Sequence, residues 1–324
     1  MPKKPYTIHN LLLTKMSVLV TGGAGFIGSH TVDALIKDGH RVSIIDNLST
    51  GLRENLNPKA KFYEIDIRDK GIAGVFKKER PEAVIHLAAQ INLRKSLEDP
   101  VFDAECNVLG GLNILECARN SGVRKFVFSS SGGGVYGEAT ELPTSEAVMP
   151  SPMSPYGLTK LVLERYLEMW RQLYGLEYVA LRYANVYGPR QNTKAEAGVI
   201  AIFADKLLHG ESPKINGDGE QTRDYVYVGD VVKANLAALE SKKSGVVNVG
   251  TGVETSVNGL LAMIRRRLGT DVPAVHGPAI KGEILRSSLN AARAKEWLGW
   301  APKTSLEEGI SATVEFFWRI MNNE

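Results

Sequence analysis

The chain has 324 residues, of which 44% are hydrophobic and 23% are charged, and its formal net charge at pH 7 is +3. This length and composition are typical of a folded protein with a large buried core, and the small net charge argues against a nucleic-acid partner. The leucine run 11–13 is too short for a secretory signal or a membrane span, so we expect a cytoplasmic protein without a membrane partner, whose residues 1–15 are a flexible extension.

The first pattern along the chain predicts a strand, a tight turn and a helix. Residues 17–20 are apolar and rich in β-branched side chains, and the glycine-rich run 21–28 follows them directly. In such a turn Gly22 can adopt the required dihedral angles, Gly25 lets the backbone approach a pyrophosphate, and Gly28 allows close packing of helix and strand. The spacing is Gly-x-x-Gly-x-x-Gly rather than the commoner Gly-x-Gly-x-x-Gly, and the alternative interpretation is a purely structural turn.

A second apolar strand, 41–45, ends at Asp46. This acid follows Gly28 at close to the spacing of ~20 residues expected for a carboxylate that accepts hydrogen bonds from an adenosine ribose. Because the carboxylate would repel the additional phosphate of NADP, the sequence predicts that the dinucleotide is NAD.

Strands and amphipathic helices alternate up to about residue 185, which predicts an α/β fold with a doubly wound parallel sheet of the Rossmann type. Beyond that point the alternation loosens, and one later strand, 246–249, is expected to return to the main sheet. The other predicted strands are 61–65, 83–87 and 125–128, and the predicted helices are 102–119, 156–174, 196–209, 230–240, 256–268 and 306–321.

Two domains are expected. Residues 16–185 plus 229–251 would form the NAD-binding Rossmann domain, and residues 186–228 plus 252–324 a smaller C-terminal α/β substrate domain built from non-contiguous segments. The aromatic run 316–318 is expected to pack on the core rather than to form an exposed assembly patch.

The predicted strand 125–128 leads into three serines and three glycines at 129–134. A hydroxyl at the carboxyl end of a strand can hydrogen-bond a reacting oxygen, and Ser131 is the residue that we assign to this role. The alternative is that the segment is only a flexible loop, although loops over a cofactor often carry function.

Tyr156 and Lys160 lie four residues apart on the predicted helix 156–174, so their side chains face the same way. A free tyrosine titrates near ~10, but a nearby lysine ammonium and an oxidised nicotinamide ring both favour the phenolate. By itself a tyrosine–lysine pair at this spacing is most often a surface coincidence. Downstream of a dinucleotide-binding turn, it predicts proton transfer coupled to hydride transfer on an alcohol.

Neither the cysteines nor the histidines have the spacing of a metal site, and no metal is predicted. Cys106 and Cys117 lie on one predicted helix and are expected at buried apolar positions in a reducing compartment. His86 ends a predicted strand and is interpreted as part of the cleft structure rather than as a base.

Taken together, the motifs resemble those of the extended short-chain dehydrogenase/reductase family, and within it the nucleotide-sugar epimerase branch. The resemblance covers nearly all of residues 17–320. The motifs that carry it are TGGAGFIGS from Thr21, DNLSTG from Asp46, Asp66-Ile67-Arg68, His86-Leu87-Ala88-Ala89-Gln90, Asn107-Val108, the Ser131 segment, Tyr156 to Lys160, RYANVYGPRQ from Arg182, and 219–225.

The resemblance implies further site residues. Asp66 and Ile67 should flank the adenine, Tyr183 should lie near the nicotinamide, and Asn107 should support the dinucleotide. The other implied NAD contacts are Phe26, Ile27, Asn47, Leu87, Ala88, Ala89, Gln90, Ser129 and Ser130. The implied contacts to the nucleotide sugar are Ser131, Asn185, Val199, Asn216, Arg223 and Glu283.

The sequence departs from the family pattern at two places. Ile280 stands where many relatives have a phosphate-binding arginine, and Lys281 or Arg286 would have to supply that charge. The point-like ammonium of Lys281 lacks the bidentate fork of an arginine. Ala184 stands where a phenylalanine is common, and its smaller side chain would enlarge the space beside the sugar.

The reaction that the resemblance implies is reversible 4-epimerisation of a UDP-hexose with bound NAD, by a homodimer that pairs through 102–119 and 156–174. Tyr156 would remove the proton of the 4-hydroxyl while carbon 4 gives up hydride, which then returns to the opposite face of the keto sugar. No carboxylate follows Ser131 until Glu138, which argues against a sugar-nucleotide dehydratase or decarboxylase. Two alternatives stay open: another NAD-dependent nucleotide-sugar epimerase, dehydrogenase or ketoreductase of the same family, and a non-catalytic dinucleotide sensor.

Overall fold

The structure, a computed structural model, describes residues 15–193, 198–279 and 284–323. The strands are β1 Ser17–Thr21, β2 Arg41–Asp46, β3 Lys61–Glu64, β4 Ala83–His86, β5 Lys125–Ser131, β6 Glu177–Tyr183, β7 Asn185–Tyr187, β8 Lys214–Asn216, β9 Thr222–Tyr227, β10 Gly245–Val249, β11 Glu254–Ser256, β12 Val275–Gly277 and β13 Arg286–Ser287. The helices are α1 Phe26–Lys37, α2 Ile72–Glu79, α3 Leu93–Glu98, α4 Pro100–Ala104, α5 Gly110–Asn120, α6 Gly132–Tyr136, α7 Pro155–Tyr174, α8 Val199–Leu208, α9 Val228–Glu240, α10 Val257–Leu268, α11 Ala292–Leu298 and α12 Leu306–Met321. A 3₁₀ turn at Arg53–Asn55 and a π-helical segment at Glu105–Leu109 complete these elements. None of the helices within the described ranges is both long and apolar enough to cross a membrane.

Seven parallel strands form the main sheet in the order β10-β6-β5-β4-β1-β2-β3, which confirms the predicted doubly wound fold. β10 pairs in parallel with β6 and so returns to this sheet as expected. From β1 the strand order runs outward in both directions, through β2 on one side and β4 on the other. In doubly wound sheets ligands bind at such a point, outside the carboxyl ends of the strands.

Apolar side chains cover both faces of the main sheet. On one face α1 and α9 contribute Leu35 and Val231, and on the other face α2, α5 and α7 contribute Phe76, Ile114 and Leu163. The central strand β1 is buried along its whole length. This burial explains why its sequence is a nearly continuous apolar run rather than an alternating one.

The remaining strands form a four-stranded sheet of β7, β9, β11 and β13 and a two-stranded pair of β8 and β12. Helices α8, α10 and α12 share a separate apolar cluster that includes Phe203, Leu260 and Val314. Ala294 and Trp300 are instead buried in the cluster under the main sheet, although they fall within 252–324. The division of the chain into two domains stays a prediction.

The expectation of one helix over 102–119 is wrong. The chain forms α4, the π-helical segment and α5 in succession, and Asp99 caps α4 by accepting a hydrogen bond from the Phe102 amide. Within the π-helical segment, Asn107 turns inward and bonds the backbone of Gln90 through both its amide atoms, at 2.8 and 3.0 Å. π-Helical turns occur frequently at functional sites, and helical periodicity alone does not reveal them.

Three smaller expectations also need correction. Ser129 to Ser131 extend β5 instead of forming a loop, and the glycines after them begin α6. Cys117 is buried, but Cys106 is only partly buried and lines the cleft described below. In the run 316–318, Phe317 is buried whereas Trp318 is 44% exposed, so the run packs on the core only in part.

Candidate active site

The glycine-rich turn closes one end of a cleft at the carboxyl edge of the main sheet. Gly22 has φ +72°, and a Cβ atom there would lie 2.7 Å from the backbone nitrogen of Ala88. A Cβ atom on Gly28 would lie 1.9 Å from the Gly22 carbonyl oxygen. Both positions therefore require glycine for steric reasons, and the first backbone N–H groups of α1 remain accessible to an anion.

The cleft has a volume of about 490 Å³ and runs from this turn to Tyr156 and Lys160. Every residue that the sequence analysis assigned to NAD lines it, except Asn107. The lining also contains residues that the sequence analysis did not assign, namely Ser49, Thr50, Ile65, Arg68, Ile91, Asn92, Lys95, Phe102 and Cys106. Ser49 and Thr50 belong to the same short motif as Asp46, so that motif could have identified them.

Asp46 joins the glycine turn to β2. Its carboxylate accepts hydrogen bonds from the amide of Ala24 at 3.0 Å and from the amide of Leu48 at 2.8 Å, and burial raises its pKa. A carboxylate has about four acceptor sites, so it retains capacity for ribose hydroxyls. The residues present at this end therefore fit a dinucleotide.

A second carboxylate, Asp66, lies further along the same wall. Arg68 donates to both of its oxygens at 2.9 Å, and Asn47 donates a third hydrogen bond at 2.8 Å. The hydrogen bonds from Arg68 are the main reason that the pKa of Asp66 falls to about 2. Asp66 is thus fixed as an anion, with its position set by neighbouring side chains.

Asn107 supports the cleft from behind instead of lining it. Besides its bonds to the Gln90 backbone, it donates to Asp103 at 3.1 Å and to Thr159 at 3.2 Å. It holds the lining residue Gln90 in place and joins the π-helical segment to α7.

The opposite end of the cleft carries the chemistry-bearing side chains. Tyr156 and Lys160 follow the start of α7, where Ser154 accepts a hydrogen bond from the Gly157 amide at 3.1 Å. The Lys160 ammonium donates to the Ser129 carbonyl oxygen at 2.8 Å and lies 5.8 Å from the centroid of the Tyr156 ring. The Ser131 hydroxyl lies beside the Tyr156 phenol, where it acts to lower the pKa of that phenol. The structure therefore brings the three predicted residues Tyr156, Lys160 and Ser131 together.

Burial has the largest effect on the pKa values of Tyr156 and Lys160. It raises the pKa of Tyr156 to about 12 against the opposing effect of the Ser131 hydroxyl, and it lowers the pKa of Lys160 to about 8. The expected lowering of the Tyr156 pKa by Lys160 is therefore not realised in the protein alone. A further positive charge is needed beside the phenol before the phenolate is favoured near neutral pH.

His86 lies beneath the cleft and is fully buried. Its Nδ1 atom is 2.7 Å from the Thr21 hydroxyl, and its ring stacks on Phe128 with 5.8 Å between centroids. Burial lowers its pKa to about 3. It is therefore a neutral structural residue, as its position at a strand end indicated.

A buried ion pair supports the serine segment. Arg182 donates to both oxygens of Glu164, at 2.9 and 2.6 Å, and the Ser130 hydroxyl donates to Glu164 at 2.5 Å. Both charged side chains are less than one-twentieth exposed. The pair fixes the position of Glu164, whose negative charge opposes the lowering of the Lys160 pKa by burial.

Tyr183, which was predicted near the nicotinamide, lines the cleft and donates its hydroxyl to Asn235 at 2.5 Å. The predicted substrate residues lie on several elements. Asn185 begins β7 and Arg223 lies on β9, within one four-stranded sheet. Val199 begins α8 and Asn216 ends β8, whereas Glu283, Ile280 and Lys281 lie outside the described residues. Arg286, the other candidate for the missing phosphate-binding charge, is exposed and pairs with Glu254.

Comparison with known proteins adds independent findings. A family model described as the NAD-dependent epimerase/dehydratase family matches residues 18–250. A UDP-glucose 4-epimerase of Mycolicibacterium smegmatis is 49% identical over 309 residues, which cover 93% of this chain and 98% of that protein.

Two solved structures are similar to this chain in both sequence and fold. The crystal structure of a UDP-glucose 4-epimerase from Thermotoga maritima with UDP-glucose superposes with a TM-score of 0.93 at 51% identity, and the match covers 94% of this chain and 100% of that one. The Thermus thermophilus UDP-glucose 4-epimerase complex with NAD gives a TM-score of 0.90 at 45% identity, with 93% of this chain and 99% of that one covered.

Proposed function

This chain belongs to the NAD-dependent epimerase/dehydratase family, and we propose that it catalyses reversible 4-epimerisation of a UDP-hexose. The substrate pair that we propose first is UDP-glucose and UDP-galactose, and the further candidate pair is their N-acetyl forms. The observation that carries the proposal is one cleft with the glycine turn at one end and the Tyr156–Lys160 pair at the other. Relatives of the proposed activity match this chain over nearly its whole length, which supports the same assignment.

NAD binds along this cleft. The turn at Gly22 and Gly28 would hold the pyrophosphate, Asp46 would accept from the adenosine ribose, and Asp66 and Ile67 would flank the adenine. When bound, NAD supplies reversible hydride transfer at carbon 4 of the sugar. The protein's own side chains bind the substrate and transfer the proton.

Tyr156 takes the proton of the sugar 4-hydroxyl and later returns it. Ser131 lies beside the phenol and orients the reacting oxygen, and Lys160 places a fixed positive charge beside the phenol. Since burial raises the pKa of Tyr156 to about 12, base strength depends on the additional positive charge of the oxidised nicotinamide. This dependence makes deprotonation of the sugar favourable only when NAD is ready to accept hydride.

The UDP group is the anchor, and the sugar is held loosely enough to turn over between the two hydride transfers. Asn185, Val199, Asn216 and Arg223 contact the nucleotide in this proposal, together with Glu283. Two free cysteines support the further proposal of a cytoplasmic location, because thiols persist in reducing compartments.

An assay of purified protein with a panel of UDP-hexoses tests this function. We expect UDP-glucose and UDP-galactose to interconvert to a fixed ratio with no net change in NADH absorbance. Interconversion of the N-acetyl pair at a comparable rate would extend the substrate range. Steady formation or consumption of NADH would contradict the proposal and favour a dehydrogenase or ketoreductase, and NAD binding with no turnover of any substrate would favour a sensor.

We also propose that the protein is a homodimer. Exposed apolar side chains occur on both predicted pairing segments: Leu109 is 59% exposed in 102–119, and Leu158 and Met169 on α7 are 51% and 40% exposed. Such a patch is typical of a protein–protein interface. Light scattering at micromolar concentration should give twice the chain mass, and the double substitution Leu109→Glu with Leu158→Glu should give the monomer mass.

The matched control for the dimer is Ile320→Glu, which changes an equally exposed apolar side chain on α12. This variant should remain dimeric. A wild-type chain that is monomeric, or a double variant that is still dimeric, would contradict the assignment.

A further inference from the structure

The carboxylate of Asp103 is completely buried behind the cleft. One of its oxygens accepts from the Gln90 side-chain amide at 2.8 Å and from the Asn107 amide at 3.1 Å, and the other accepts from the Thr159 hydroxyl at 2.8 Å. The buried carboxylates of Glu164 and Asp230 each have a cationic partner, at 2.6 and 2.8 Å. Within the described ranges, no ion pair includes Asp103.

A buried carboxylate whose direct hydrogen-bond donors are all neutral is costly, because no ion pair offsets the desolvation of its charge. A neutral asparagine would avoid this cost, although its amide nitrogen could not accept the hydrogen bond from Thr159. The charge of Asp103 is therefore a feature to be explained by what surrounds it.

The three donors come from three different parts of the site. Gln90 lines the NAD cleft, Asn107 lies in the π-helical segment, and Thr159 lies on α7 between Tyr156 and Lys160. Thr159 also lies 3.0 Å from the Tyr156 carbonyl oxygen. The carboxylate thus connects the cleft wall to the turn of α7 that carries the proton-transfer residues.

We propose that Asp103 is a positioning residue for the reaction: it clamps α7 to the cleft wall at Gln90 and places a fixed negative charge behind the Tyr156–Lys160 pair. This inference rests on the proposed function for its role in turnover. Its structural and electrostatic parts can be measured without turnover.

The charge acts on both members of the pair. Burial lowers the pKa of Lys160, and the negative charges of Asp103 and Glu164 oppose that lowering, so that the amine stays largely protonated near neutral pH. Burial raises the pKa of Tyr156, and Asp103 raises it further. Loss of the Asp103 charge should therefore lower both pKa values.

The other ionisable groups that face the pair cannot substitute for Asp103. Glu164, on α7 itself, also acts on Lys160, but it is paired with Arg182 on β6 and does not contribute to the raised pKa of Tyr156. His86 on β4 is neutral, because burial lowers its pKa to about 3. The remaining groups that contact the pair, the Ser129 carbonyl and the Ser131 hydroxyl on β5, carry no charge.

Asp103→Asn tests the electrostatic part, because asparagine keeps the shape of the side chain. Its amide oxygen can accept from Gln90 and Asn107, and its amide nitrogen can donate to the Thr159 hydroxyl, which leaves the geometry in place. We expect both limbs of the pH profile of kcat to move to lower pH by about one unit. The tyrosinate absorbance of Tyr156, obtained as the difference between otherwise identical proteins with and without Tyr156→Phe, should shift in the same direction.

Thr159→Val tests the clamp, because it removes the link from α7 while keeping the charge. We expect kcat to fall about tenfold or more through misplacement of α7, with the limbs of the pH profile unmoved. The control Asp38→Asn removes an exposed carboxylate at the end of α1 and should leave both rate and pH profile unchanged.

A folded Asp103→Asn protein with the wild-type pH profile and the wild-type tyrosinate titration would overturn the electrostatic role. Wild-type kcat in Thr159→Val would overturn the clamp, and this variant tests the clamp even if Asp103→Asn does not fold. Failure of the proposed function is distinguishable, since it would appear as an inactive wild-type protein, whereas the tyrosinate titration reports on Asp103 in either case.

Discussion

Tyr156→Phe should lower kcat for epimerisation by about 10²–10⁴-fold while leaving the affinity for the UDP-sugar unchanged within about threefold. The substitution removes only the hydroxyl that Ser131 contacts, and it keeps the ring that packs at the end of the cleft. In the proposed function other residues hold the UDP group, so binding should not depend on the phenol. Steady-state rates and calorimetric titration with UDP-glucose measure the two effects separately.

Tyr174→Phe is the matched control, because it makes the same change on the same helix. Tyr174 is 47% exposed and packs by its ring edge against Trp170. This control should retain wild-type kcat. A Tyr156→Phe protein that keeps more than about a tenth of wild-type kcat would mean that another group transfers the proton.

Gly28→Ala should abolish tight NAD binding and destabilise the fold. The added Cβ atom would lie 1.9 Å from the Gly22 carbonyl oxygen, and because both atoms are attached to backbone, the turn itself must move. Overpacking of this kind costs about 1–3 kcal/mol, and displacement of the turn removes the close approach that the pyrophosphate needs. We expect the Kd for NAD to rise at least about tenfold, measured by titration of protein freed of bound dinucleotide, and the denaturant midpoint to fall.

The control is Gly74→Ala on α2, where an added Cβ atom has no neighbour within 4 Å. That substitution should stabilise the protein by about 0.5–1 kcal/mol, because alanine is the better residue in a helix interior, and NAD affinity should not change. Equal NAD affinity in Gly28→Ala and the wild type would contradict the assignment of the turn.

The NAD side of the cleft could be predicted from the sequence because the fold places it automatically. In a doubly wound parallel sheet, residues that follow successive strands meet at one edge, so Gly22 after β1, Asp46 at the end of β2 and Leu87 after β4 converge without further information. The pair on α7 could be predicted for a similar reason, since residues four apart share a helix face.

Other features depend on tertiary contacts that local patterns do not encode. The π-helical segment accompanies the hydrogen bond between Asn107 and Gln90, which are distant in sequence. Phe102 and Cys106 line the cleft only because of the way in which α4 and that segment pack. The strands β7, β8 and β11 to β13 are two or three residues long, too short for alternation to be recognised. The pKa of Tyr156 depends on burial, which the sequence does not specify.

The most direct test of the central claim follows an isotope at carbon 4. UDP-glucose deuterated at that carbon is incubated with the protein in ordinary water, and the UDP-galactose formed is analysed by NMR. If hydride leaves and returns within the cleft that joins the glycine turn to Tyr156, the product retains its deuterium at carbon 4. Replacement of the deuterium by solvent hydrogen would contradict the account, because it would mean that carbon 4 is inverted without a hydride held on NAD.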